Sequence, residues 1–129
     1  MSKDPALYAD QILEAIKNIY ADIEGKDLED FRADRRTRQL VERNLEILSE
    51  ASRRLPDEFK RRESDIPWRN IAGIGNVLRH DYYKSNPEIL WEICRKDLRN
   101  LQKAVERIGQ MLEQINDPTQ TKRTKDLSP

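Results

Sequence analysis

In four long stretches of this 129-residue chain a core-type side chain recurs every third or fourth position. That spacing puts the residues on one face of an α-helix and excludes the strict alternation of a half-buried strand. The first stripe is Leu7, Ile12, Leu13, Ile16, Ile19, Tyr20 and Ile23. The second is Thr37, Leu40, Val41, Asn44, Leu45, Leu48, Ala51 and Leu55. The third is Trp68, Ile71, Ile74, Val77 and Leu78. The fourth runs through Leu90, Trp91, Cys94, Leu98, Leu101, Val105, Ile108, Leu112 and Ile115. Local signals bound them. Asp4-Pro5 and Asn86-Pro87 each place a capping acceptor before a proline at the first helical position. Gly25 is a natural stop, Asp34 a cap, and Pro56 ends the second helix, because a proline ring clashes with the preceding turn.

The pattern predicts helices over residues 5–24, from Asp34 to Leu55, from Pro67 to Tyr83 and from Pro87 to Ile115. A short helical turn over Asp27–Ala33 brings Leu28 and Phe31 inward, and Phe59 plugs the polar connection 57–65. The expected fold is all-α, an antiparallel four- to five-helix bundle. Residues 1–116 form this one bundle and the polar segment 117–129 a disordered tail. Charged residues are 37% of the chain and hydrophobic ones 36%, which suits helices with one wet face. Asn44 reads as a core amide bonded to a neighbouring helix. Gly73 and Gly75 lie inside the third helix. Each costs about 1 kcal/mol against Ala, so a close approach by another helix, from this chain or a second copy, is expected.

Composition excludes several classes. No apolar run approaches a membrane span, and no apolar stretch follows Met1-Ser2-Lys3 as a secretory signal would require. One cysteine, Cys94, forms neither an internal disulfide nor a Cys-rich zinc site, and reads as a small core residue. The expected location is the cytoplasm. Twenty-four basic residues balance twenty-four acidic ones, unlike a generic nucleic-acid coat. The cations Arg35, Arg36, Arg38, Arg43, Arg53, Arg54, Lys60, Arg61 and Arg62 are interleaved with acids and read as a solvated face. If they converge near a cleft, they hold phosphates.

Chemistry concentrates in Gly75-Asn76-Val77-Leu78-Arg79-His80-Asp81-Tyr82-Tyr83, which contains the only histidine of the chain. Histidine is the usual proton-transfer group near neutral pH. The bland alternative is a surface histidine favoured by the helix C-terminus.

Several segments in order resemble the HepT-like branch of the HEPN-domain proteins. Leu40-Val41-Glu42-Arg43-Asn44-Leu45-Glu46-Ile47-Leu48-Ser49-Glu50-Ala51 resembles its second helix. Ile66-Pro67-Trp68-Arg69-Asn70-Ile71-Ala72-Gly73 resembles the start of its motif helix, and His80-Asp81-Tyr82 matches its His-x-Tyr. Asn86-Pro87-Glu88-Ile89-Leu90-Trp91 and Lys96-Asp97-Leu98 resemble the family's segments beyond that motif. The resemblance spans about residues 5–115.

It implies a homodimer packed through the motif helices, with a composite cleft at the two-fold. It also implies a toxin that cuts RNA without metal or cofactor, and a minimal nucleotidyltransferase as antitoxin. His80 then corresponds to the catalytic histidine. Tyr82 is a cleft residue and the acceptor of AMP from the partner. Asn76 matches the polar residue next to the family's arginine. In the family four to six residues separate that arginine from the histidine, which puts it where this chain has Gly75, Ile74 or Gly73. Arg79 is one replacement cation. Arg69, about 16 Å up the helix from His80, is another if a second copy packs antiparallel. Arg69 and Tyr83 are also contacts for RNA or the partner. The alternative is a binding module that lost cleavage with its arginine and survives as the partner of the nucleotidyltransferase, with Tyr82 as AMP acceptor. A third reading is a structural helical dimer packed through the glycine-rich helix.

Overall fold

Each helix begins where its cap stands. In the computed structural model, which describes residues 4–80 and 86–116 apart from the side chains of Arg79, His80 and Asn116, Asp4 accepts the Ala6 N–H at 3.0 Å and opens α1 (Pro5–Ile23). Gly25, with φ +74°, turns the chain as few other residues can. Asp27 and Asp30 then form a reciprocal capping box, with bonds of 2.8 and 3.1 Å, at the start of α2 (Leu28–Ala33). Asp34 takes the Thr37 N–H at 3.1 Å and its hydroxyl at 2.7 Å, and starts α3 (Arg35–Arg54). A short α4 (Asp57–Arg61) leads to α5 (Trp68–His80). Asn86 caps α6 (Pro87–Glu92) through the Glu88 N–H at 2.8 Å. A π-helical turn (Ile93–Asp97) joins α6 to α7 (Leu98–Asn116) in one rod. Each such cap is worth about 1 kcal/mol.

Among the described residues every element is helical, and they form the expected all-α bundle. α1 packs on α3 and α7, and α3 packs on α1 and α5. The core is the set of stripes read from the sequence. Ile12, Ile16, Ile19, Val41, Leu45, Leu48, Leu98, Leu101 and Ile108 are all fully buried. Burying each contributes roughly 1.5–3 kcal/mol. Phe31 carries α2 into this core and packs on Trp91, with ring centroids 5.2 Å apart. Phe59 is buried as a plug, and Cys94 is buried with its thiol pushed up to about 12 by desolvation. Asn44 is buried as a core amide: it donates to the Leu40 carbonyl at 3.0 Å and accepts from Asn18 of α1 at 3.4 Å.

Four expected core residues lie outside. Leu7, Leu40, Val77 and Ile115 are 43%, 50%, 60% and 58% exposed. Leu7 and Ile115 stand near the outer ends of α1 and α7. The predicted continuous last helix is interrupted by the π turn. Leu90, Cys94 and Leu98 are spaced by four, longer than the helical repeat, and a wider turn keeps all three on the buried face. The expectation for 117–129 concerns residues outside those described.

Two contacts fix the approach to α5. The Trp68 indole N–H donates to the carbonyls of Lys60 and Glu63, at 3.2 and 3.0 Å. Arg107 of α7 grips Glu63 with two bonds of 3.0 and 2.6 Å. Those hydrogen bonds from Arg107 hold the Glu63 carboxyl below its usual range. A carboxyl with a depressed folded-state pKa stabilises the fold above its unfolded pKa, and that gain is lost as pH falls through the folded value. Glu63→Gln is therefore expected to lower the urea midpoint at pH 7. The difference from the native protein should shrink below the ordinary carboxylate range, about pH 4. A difference independent of pH would contradict this role.

Candidate functional site

The motif helix is held by α3 at a single polar seam. Ser49, 2% exposed, donates its hydroxyl to the Ala72 carbonyl at 2.8 Å. The same oxygen accepts the Gly75 N–H at 3.0 Å. One hydroxyl proton and one lone pair are thus both used. One turn further along α3, Arg53 donates Nε–H to the same Ala72 carbonyl at 3.2 Å. Gly75 is buried here. The close approach expected at this glycine is made within the chain, by the Ser49 hydroxyl on its amide.

Gly73 is different. A Cβ built on it meets nothing within 4 Å. It opens into a groove of about 400 Å³ between α5 and the α6 rod, lined by Ile74, Val77, Leu78, Ile89 and Ile93 among others. Val77 and Ile89 are 60% and 56% exposed. Arg69 is exposed and lines the same groove.

Of the sequence-predicted residues, Asn76 is exposed on α5, one turn beyond Ala72, and His80 is the last residue of that helix. Ala72, Asn76 and His80 therefore fall in one i, i+4, i+8 row along α5. The side chains of Arg79 and His80 lie outside the described set, as do residues Tyr82 and Tyr83. Among the described residues no three His, Cys, Asp or Glu side chains stand together as a metal site. No helix of the described residues is long and apolar enough to cross a membrane. Some of the basic residues are engaged within the bundle. Arg38 donates to the carbonyls of Phe31 and Arg32, Arg54 pairs with Glu50 at 3.4 Å, and Lys60 pairs with Asp57 at 3.5 Å.

Sequence comparison agrees with this architecture. A family model described as HepT-like, ribonuclease HepT-like, matches residues 11–108. The chain belongs to the HepT-like ribonuclease family. It is 36% identical over 108 residues to "Putative RNase TTE0752" of Caldanaerobacter subterraneus subsp. tengcongensis, covering 84% of this chain and 96% of that protein. It is 36% identical over 101 residues to "Probable ribonuclease HepT" of Thermococcus cleftensis, covering 78% of this chain and 92% of the relative. "Putative RNase MJ0127" of Methanocaldococcus jannaschii is 32% identical over 111 residues, 86% of this chain and 92% of its own length. No solved structure matches the chain at comparable significance.

Sequence reasoning did not single out Ser49 at this site, and it placed Arg53 only within the run of cations read as a solvated face. In the chain they stand 19 to 26 residues from the atoms they hold. The one available signal was a small polar residue beside the second stripe and a glycine inside the third. Ser49→Ala removes one bond and leaves the buried Gly75 N–H without its side-chain partner. It is expected to lower stability by about 1–2 kcal/mol, read as a reduced urea midpoint at unchanged m-value. An unchanged midpoint would mean that α5 is held by its apolar face alone.

Proposed function

We propose that this member of the HepT-like ribonuclease family is a metal-independent RNA endonuclease acting as the toxin of a toxin–antitoxin pair. The observation that carries the reading is the family match over residues 11–108, with His80 ending the helix that exposes Asn76. In the cleavage, a base takes the proton of a ribose 2′-hydroxyl, and the freed oxygen bonds to the adjacent phosphorus. The bond from phosphorus to the 5′-oxygen breaks, and an acid returns a proton to that oxygen. The products are a 2′,3′-cyclic phosphate and a 5′-hydroxyl. His80 performs one of the two proton transfers. Tyr82 contacts the phosphate or stacks on a base, Asn76 donates to a phosphate oxygen, and Arg79 is the adjoining cation. Tyr83 lies in the same run as a further contact for RNA or partner. The partner is a minimal nucleotidyltransferase. AMP placed on Tyr82 adds bulk and negative charge, which block the cleft and repel RNA phosphate.

One observation favours the second reading, a cleavage-dead module bound to that nucleotidyltransferase with Tyr82 as AMP acceptor. The position where the family carries its arginine is Gly75, buried with its amide on Ser49. The two readings separate in a cleavage assay on RNA in EDTA. The ribonuclease reading expects cleavage by the native protein and a loss of about 10²–10⁴-fold in folded His80→Ala. Equal cleavage by both removes His80 from the mechanism. Absence of cleavage, with tight nucleotidyltransferase binding and an AMP mass gain on Tyr82, supports the module.

We further propose that the protein is a homodimer joined at the groove between α5 and α6. The groove exposes Val77 and Ile89, and Gly73 leaves room for a close backbone approach. Arg69 borders it, within reach of a second copy's motif helix. Val77→Asp is expected to convert the dimer to a monomer in light scattering after size exclusion, since a carboxylate buried in an apolar seam has no partner. A dimer unchanged in this variant would place the interface elsewhere.

A further inference from the structure

The motif helix lacks its arginine, yet a guanidinium reaches it from another helix. Arg53 of α3 seats Nε on the Ala72 carbonyl at 3.2 Å. Ala72 begins the row that continues through Asn76 to His80. A helical carbonyl points toward the C-terminal end of its helix, so the atom that Arg53 grips lies near the level of positions 73 and 74. From there to His80 the rise is about 10 Å. Arg53 thus brings a cation to the stretch of α5 where the sequence supplies only Gly73, Ile74 and Gly75. Gly75 has no side chain to occupy that edge of α5, and the Ser49 hydroxyl holds its amide at 3.0 Å. The α3–α5 seam and the placement of Arg53 are parts of one arrangement.

The charge of Arg53 is also unspent. Five other arginines of the bundle are neutralised or engaged. Arg54 faces Glu50 at 3.4 Å, Arg107 grips Glu63 at 2.6 Å, and Arg32 bridges Glu29 and Glu88. Arg38 is taken up by two carbonyls, and Arg95 lies over the Trp91 ring at 5.7 Å. Seven more, Arg69 among them, form no ion pair among the described residues and, unlike Arg53, are not fixed on α5 by a hydrogen bond from another helix. Arg53 bonds only a neutral carbonyl, and among the described residues its two terminal nitrogens have no hydrogen-bond or ion-pair partner. The nearest acid one turn back on α3, Glu50, is engaged by Arg54. The residue is exposed. A guanidinium fixed at Nε, with a free planar fork and no counter-charge, suits a phosphate oxyanion.

We infer that Arg53 binds an RNA phosphate beside the Ala72–Asn76–His80 row and supplies from α3 the cation that the motif helix lacks. The inference rests on the ribonuclease reading above for its catalytic consequence, while phosphate binding is measured separately. Arg53→Gln keeps an N–H donor for the Ala72 carbonyl and removes the charge. Arg53→Lys keeps the charge without the fork. Arg54→Gln removes the adjoining, already paired charge and serves as control.

The binding probe is a fluorescein-labelled single-stranded RNA with 2′-O-methyl riboses, which cannot be cut, titrated in EDTA at several salt concentrations. Arg53→Gln is expected to bind more weakly and to lower the slope of log affinity against log salt by about 0.7, one phosphate contact on a single strand. Cleavage of ordinary RNA should fall by about 10²-fold in Arg53→Gln and less in Arg53→Lys, with Arg54→Gln like the native protein. Native slope and cleavage in Arg53→Gln would overturn the inference, as would equal losses in the Arg53 and Arg54 variants, which signify diffuse charge. If the slope depends on Arg53 but cleavage does not depend on His80, the ribonuclease reading falls and the phosphate contact stands. If the native protein does not bind the probe, the inference falls.

Discussion

α3 buries two different faces at once, and the rest of the molecule is arranged around that demand. One face, Val41, Leu45 and Leu48, is fully buried in the apolar core. The other is small and polar: Ser49 and Ser52 are nearly as buried, at 2% and 1%. A buried hydroxyl is costly unless bonded. Ser52 satisfies itself on the Ser49 carbonyl at 2.7 Å, within its own helix. Ser49 has to find its partners on another helix, and finds them in the Ala72 carbonyl and the Gly75 amide. Apolar packing tolerates sliding, whereas a hydroxyl shared between two backbone groups fixes both height and rotation. The position of α5 along α3 is set by that sharing, and with it the position of Asn76 and of the backbone of His80.

The polar connection before α5 makes the same choice from the other end. The Trp68 indole is tied to two carbonyls of the preceding turns, and Glu63 is tied to Arg107. α5 is thus anchored at its first turn and again at Ala72–Gly75. Its opposite face, through Gly73 and Val77, stays open to the groove. A helix fixed on one side and open on the other presents a defined edge to whatever binds. The π turn in the α6 rod serves a comparable end: it adds one residue to a turn so that Leu90 and Leu98 both remain buried.

Much of the fold is legible in the amino-acid sequence. Asp4, Asp27, Asp34 and Asn86 cap within three residues of themselves, and Gly25 adopts the positive φ that its place after α1 implies. Asn44 is legible as a core amide because it interrupts an apolar stripe. The π turn is harder to read. Successive spacings of four at Leu90, Cys94 and Leu98 carry its signal, but they also fit an ordinary helix within the usual scatter. Leu40 and Val77 obey the periodicity and still face outward, since a stripe tells which side of a helix is apolar and not how far the neighbouring helix extends. For the site, the sequence marks Asn76, His80 and the missing arginine at positions 73–75. It does not mark Ser49 or Arg53 as their neighbours.

The helices, their caps, the apolar faces and the membership of a ribonuclease family are all encoded along the chain, because they are written in contacts a few residues apart or in runs of matching residues. That Gly75 lies against Ser49 and that Arg53 grips Ala72 came from the packing of the bundle alone. A hydroxyl and a guanidinium can each reach many carbonyls, and which one they reach depends on how two helices dock. That docking is chosen by the whole core together, so no local pattern in the chain records it.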